Sequence, residues 1–292
     1  MCDDHSLDDM IDSTRPADGM TRRRFGALSM GAGFIASLPA VTNAAEVKES
    51  EVTIKTPNGE CDAYFVHPAK GKHPAVLVWP DIFGLRTAFR QMGKRLAESG
   101  YTVLVVNPFY RIKKAPVIAE GADIQDPATR QTLFGYMGSL TPDTAATDAK
   151  AFVAWLDKQA SVDTKRKMGT TGYCMGGPLT MRTAATLPER VGAGASFHGG
   201  GLVTDKPESP HLLVPKMKAH YLFAIAENDD KQQPTAKDDL RTAFDNAKLP
   251  AEIEVYAGAM HGWCPPDSRV YNQAQAEKAW SRMLALFQKA LA

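Results

Sequence analysis

The sequence carries almost no net charge: 34 Lys+Arg stand against 33 Asp+Glu, and no basic run lies beyond the N-terminal region. That balance excludes a nucleic-acid or acidic-surface partner, which needs a concentrated positive face. None of the seven histidines stands in a His-Glu-x-x-His frame, so neither a metal nor another cofactor is expected. Cysteine is scarce, four in all, and none is paired as Cys-x-x-Cys, which removes the usual dithiol of a redox protein. The interior has neither an internal repeat nor a Pro/Gly/Ser-rich linker, so repeat arrays and two-domain arrangements lose support. What is present, 44% hydrophobic and 23% charged residues, is the composition of one globular domain with a sizeable core.

No apolar run reaches the roughly 20 residues of a membrane span. The nearest, residues 26–40, is broken by glycines, serines and Pro39 and follows Thr21-Arg22-Arg23-Arg24-Phe25. That pair of arginines before an interrupted apolar stretch resembles a twin-arginine export motif. Thr42-Asn43-Ala44 supplies small residues for cleavage before Ala45. Residues 1–44 are therefore expected to be an export signal and 45–292 the working domain. The twin-arginine machinery would be a partner in transit, with no stable membrane anchor after cleavage and a periplasmic or extracellular destination. Gly31-Ala32-Gly33-Phe34-Ile35-Ala36 fits a dinucleotide fingerprint only as a string, because no strand precedes it. Cleavage removes Cys2 and leaves Cys61, Cys174 and Cys264, an odd number, so at least one thiol stays free. Cys264 reads as a small buried apolar residue.

Val52-Thr53-Ile54 and Cys61 to Val66 flank Pro57-Asn58-Gly59, a hairpin signature. Residues 75–79 and 102–106 are continuous apolar runs, as parallel strands buried on both faces require. Between them Phe89, Met92, Leu96 and Ala97 recur at helical spacing up to Gly100. Further helices are expected at 143–158 and 273–291, and strands at 167–171, 191–197, 221–225 and 252–256. This alternation predicts an α/β fold, a mainly parallel sheet with helices on both faces.

Gly172-Tyr173-Cys174-Met175-Gly176 has the glycine spacing of a nucleophile elbow, with cysteine where serine is usual. It falls between the strand at 167–171 and a helix expected at 177–187. A thiol there sits at a helix N-terminus, whose partial positive charge favours thiolate. The chain then supplies Asp229 and Asp230 just past the strand at 221–225, and His261 in a Gly/Met/Trp loop after the strand at 252–256. Nucleophile, acid, histidine is the chain order of an α/β-hydrolase triad. Either aspartate suits the acid's place, and Asp229 is favoured. His198-Gly199-Gly200-Gly201 copies a lipase oxyanion string but follows the nucleophile instead of preceding it, so it reads as a loop.

These elements, with Pro80-Asp81-Ile82-Phe83-Gly84 and His261-Gly262-Trp263, resemble the dienelactone hydrolase family of the α/β-hydrolase fold from about Val52 to the C-terminus. The resemblance implies Cys174 as nucleophile, His261 as base, Asp229 as orienting acid, and the backbone N–H groups of Ile82 and Met175 as oxyanion hole. It also implies a contact of Asp81 with the resting thiol, although family members place the longer glutamate there. An arginine that binds an anionic lactone in the family corresponds here to Pro265, which leaves Arg130 and Arg269 as substitutes for substrate binding.

The expected activity is hydrolysis of a small-molecule ester or lactone through a thioester, as in carboxymethylenebutenolidase, by a monomer. An acyltransferase or peptidase-like enzyme on the same fold, and a non-catalytic small-molecule-binding protein, are the alternatives. Residues 111–140 carry no readable specificity.

Overall fold

The structure, a computed structural model, describes residues 35–292. The twin-arginine motif lies outside the described residues. Residues 35–44 run as coil and turn, with the Ala36 N–H donating to Pro266 O at 3.0 Å and Leu38 packed on the core. Among the described residues no helix is long and apolar enough to cross a membrane.

Eight strands form one sheet in the order β1-β2-β4-β3-β5-β6-β7-β8. The hairpin β1 (Val47–Thr56) and β2 (Gly59–Pro68) is antiparallel, as Pro57-Asn58-Gly59 predicts, and β2 also pairs antiparallel with β4 (Thr102–Val106). From β4 onward every pairing is parallel: β3 (Ala75–Trp79), β5 (Met168–Tyr173), β6 (Val191–Phe197), β7 (His220–Ala226) and β8 (Ala251–Tyr256). The helices are α1 (Thr87–Glu98), α2 (Pro127–Met137), α3 (Pro142–Leu156), α4 (Gly176–Thr186), α5 (Glu227–Gln232), α6 (Ala236–Asn246) and α7 (Gln273–Ala290).

Successive side chains of a strand point to opposite faces, and both faces here are apolar. Leu77 and Trp79 of β3 join α3, α4 and α6 in one core cluster, while Val76 and Val78 join α1 and α7 in another. Two sandwiched cores explain why these strands read as unbroken apolar runs. The parallel arrangement also brings the C-terminal ends of β3, β5, β6, β7 and β8 to one edge, where a ligand site of an open α/β sheet forms.

Three helices escape the sequence reading: α2, α5 and α6, the last burying Leu240 and Phe244. Helix α2 buries only Leu133, so it shows no apolar stripe, and it is marked instead by the Asp126 carboxylate accepting from Thr129 N–H and by Pro127 in its first turn. Helix α5 occupies the stretch expected to be a plain loop after β7.

Candidate active site

Cys174 directly follows β5, with φ +54, a left-handed conformation that costs a non-glycine residue energy and turns its side chain out of the strand-to-helix corner. The corner is tight enough to exclude any side chain on its two flanking positions. A Cβ on Gly172 would stand 2.1 Å from Gly176 O, and one on Gly176 would stand 2.3 Å from Trp79 O and 2.9 Å from Pro80 O. Backbone is thus pressed on backbone, and the start of α4 is seated on the end of β3. This seating brings Met175 beside the loop of Asp81 to Gly84, and Ile82 and Met175 share one apolar cluster with Cys174. Neither the Ile82 nor the Met175 N–H is spent on a backbone acceptor within this turn and loop.

His261 Nδ1–H donates to both carboxylate oxygens of Asp229, at 2.8 and 3.0 Å, and Asp229 sits on the first turn of α5. That bond fixes the tautomer and frees Nε2 for the sulfur. Asp230 turns the other way and pairs with Lys237 at 2.6 Å. The helical turn of α5 separates two neighbours of which the sequence alone only favoured Asp229. The histidine loop is tied to the acid segment three times more: His261 N–H donates to Asn228 Oδ1 at 2.8 Å, Gly258 N–H to Glu227 Oε2 at 2.6 Å, and Glu227 N–H to Ala259 O at 2.9 Å. Burial works against a charged His261, yet the Asp229 carboxylate and the sulfur of Cys174 outweigh it and hold its pKa well above the usual histidine value. Cys174 and His261 are both buried, 4% and 5% exposed, so their attraction is little screened by water.

His198 lies in the loop after β6, as the sequence implies, and it also has a role at the site that the loop reading did not foresee. It directly follows β6 with φ +40, is 1% exposed, and its Nδ1 accepts the N–H of Cys174 at 3.1 Å. Its ring packs edge-on to His261 and Trp263, with centroids 5.0 and 5.1 Å apart. Burial, aided by the charge on His261, holds its pKa well below the ordinary value, so it is neutral with the proton on Nε2. The signal that could have found it is its position at the carboxyl end of the strand beside the nucleophile strand.

Asp81 and Arg269, expected near the thiol, are paired with other residues. Asp81 gives both carboxylate oxygens to Arg86, at 2.6 and 3.0 Å, instead of turning to Cys174. One methylene shorter than a glutamate, it is captured by a guanidinium five residues on. Arg269 is 71% exposed and paired with Asp123 at 2.6 Å, on the rim. Arg130 is half-buried on α2, one turn before Leu133 and Phe134. Cys61 and Cys264 are free and buried, so they form no disulfide, and burial raises both thiols far from reactivity. No cluster of metal-ligating side chains occurs among the described residues.

Comparison with known proteins agrees with this geometry. The model of the dienelactone hydrolase family matches residues 61–291. A protein of Synechocystis sp. assigned as a carboxymethylenebutenolidase is 28% identical over 251 residues, 84% of this chain and 98% of its own length. One from Escherichia coli with the same assignment is 30% identical over 234 residues, covering 78% of this chain and 82% of its own. Among solved structures, one assigned as a dienelactone hydrolase of Klebsiella pneumoniae superposes with TM-score 0.72 at 25% identity, over 84% of this chain and 99% of that one. The chain belongs to the dienelactone hydrolase family and is a carboxylic ester or lactone hydrolase of the α/β-hydrolase fold.

Proposed function

We propose that the protein is an exported, cysteine-dependent hydrolase that opens a small ester or lactone through a thioester on Cys174. The observation that carries the reading is the buried line Asp229, His261, Cys174 at a strained elbow. His261 takes the thiol proton, and the sulfur attacks the carbonyl carbon. The carbonyl oxygen gains charge against the Ile82 and Met175 amides, which are preorganised donors. The carbon–oxygen bond breaks, His261 returns the proton to the leaving alkoxide, and the acyl group stays on sulfur. Water then gives a proton to His261 and attacks the thioester. The carbon–sulfur bond breaks and the acid departs. Asp229 keeps the imidazole in the required tautomer throughout.

Cys174→Ala is expected to abolish turnover of an activated aryl ester while leaving the circular dichroism spectrum unchanged, because a methyl group fits the elbow but cannot attack. Cys174→Ser should retain weak activity, since a hydroxyl is less acidic than a thiol. Near-wild-type turnover by Cys174→Ala ends the covalent mechanism. Export rests on the Arg22-Arg23 pair before the interrupted apolar stretch 26–40 and on the small residues Thr42-Asn43-Ala44. Changing both arginines to lysine should leave unprocessed protein in the cytoplasm, whereas full-length, Met1-bearing protein in the cytoplasm of wild-type cells would overturn export.

A further inference from the structure

Arg86 occupies a position that local rules disfavour. It is the N-cap of α1, where Ser, Thr, Asp or Asn would satisfy an orphan N–H, and it makes no cap bond. A cation there also faces the positive end of the helix. A residue that breaks a local rule this plainly is compensated elsewhere.

The compensation is a two-sided fork. Nη1 and Nη2 of Arg86 donate to Asp81 at 2.6 and 3.0 Å, while Nε and Nη2 donate to Asp267 at 2.6 and 2.9 Å. The guanidinium also lies against the rings of Phe83 and Phe89, at 5.3 and 4.9 Å from their centroids. Its side chain is 18% exposed, against 10% for Asp81 and 22% for Asp267. Two carboxylates this close would repel each other without it.

What the fork joins matters more than its strength. Asp81 precedes Ile82, and its Oδ1 also accepts the Phe83 N–H at 3.0 Å, so the carboxylate sets the turn that presents the Ile82 amide. Asp267 belongs to the loop that begins at His261, a loop closed by Ser268 N–H to Pro265 O and by Asn272 N–H to Trp263 O. One side chain therefore connects the loop of a proposed oxyanion donor with the loop of the proposed base.

We propose that Arg86 is a positioning residue that fixes the Ile82 amide relative to His261 by clasping Asp81 and Asp267. The inference rests on the hydrolytic reading above. Its effect belongs to the transition state, because an oxyanion donor acts only as charge develops on the carbonyl oxygen. A displacement on the order of 1 Å at such a group costs roughly a hundredfold in rate.

The test uses Arg86→Lys, which keeps the charge but cannot fork two carboxylates, and Asp267→Asn, which opens one side. For each, kcat and KM on an aryl ester are measured per alkylatable Cys174, together with the rate of iodoacetamide alkylation, a reaction with no oxyanion. The expectation is a fall in kcat of about 10- to 100-fold with KM within about twofold and alkylation within about threefold. Guanidinium ion should restore part of the kcat of Arg86→Ala. If Arg86→Lys fails to fold, Asp267→Asn carries the decision. Unchanged kcat per alkylatable thiol in the folded variants overturns the proposal. A wild-type protein whose hydrolysis survives Cys174→Ala would instead overturn the underlying mechanism, a different result in a different variant.

Discussion

Two walls meet at Cys174, and they are built from different material. On one side the elbow holds the sulfur by backbone contact: Gly172, Gly176 and Trp79 touch main chain to main chain. On the other, residues of the stretch from Phe109 to Leu140, chiefly Phe109, Val117 and Leu133, cover it with apolar side chains. The first wall tolerates no added atom, whereas the second is a set of interchangeable apolar contacts. Catalytic geometry belongs to the rigid wall and access to the soft one, a division that loops on a fixed scaffold commonly show.

The sharpest way to break this comparison is Gly176→Ala. One added carbon meets the Trp79 and Pro80 carbonyls at 2.3 and 2.9 Å, and neither can move without shifting β3 and the loop of Ile82. Activity should fall by roughly a hundredfold or more, or the protein should fail to fold. Activity within threefold of wild type would show that the elbow is not a rigid wall.

Next in size is the acid. Asp229→Asn should lower kcat by about 10³- to 10⁴-fold, because the amide can favour the wrong imidazole tautomer, as in serine triads. Asp230→Asn removes only the partly exposed Lys237 pair and should change kcat by less than about twofold. The pair also has a pH signature. The folded protein holds the His261 proton more tightly than the unfolded chain does, so this contribution to stability is complete below about pH 6.5 and is lost as pH rises through the raised pKa. His198 acts in the opposite sense: kept neutral when folded, it destabilises as pH falls below about 6.5. Asp229→Asn should therefore flatten the alkaline decline of stability in pH-dependent thermal unfolding and leave the acid one.

The difference between the walls also decides what could be read in advance. Strands β3, β4 and β7 and the elbow were legible, since burial on both faces leaves continuous apolar runs and backbone crowding leaves glycines at fixed spacing. The sequence favoured Asp229 over Asp230 without deciding between them, because the turn of α5 that aims one at His261 and the other at Lys237 is a three-dimensional fact. Asp81 was misread for a related reason: which partner a carboxylate takes depends on Arg86 and Asp267, the latter 186 residues away along the chain. His198 was passed over by a rule about chain order, although its strand position pointed to the site. Helix α2 left no apolar stripe because it buries a single leucine, and only Asp126-Pro127 at its start marks it in the sequence.

That last element gives the smallest expected effect and the finest test of the comparison. Leu133 is fully buried in the cluster that covers Cys174, and Leu133→Ala removes apolar contact worth on the order of 2 kcal/mol or more where the site cannot collapse. The loss falls chiefly on α2 and the cluster it covers, because Leu133 is the buried residue of that helix and the two sheet cores lie in separate clusters. Local opening of α2 should become easier while global unfolding barely changes. Amide exchange should therefore quicken in residues 127–137 and stay slow in β5. KM for a bulky aryl ester should shift by a few-fold with kcat nearly constant, since the elbow, the histidine and the amides are untouched. Equal acceleration of exchange in β5 and α2, or a loss of kcat as large as that of Gly176→Ala, would mean that the two walls are one structure and that access and catalysis are not built separately.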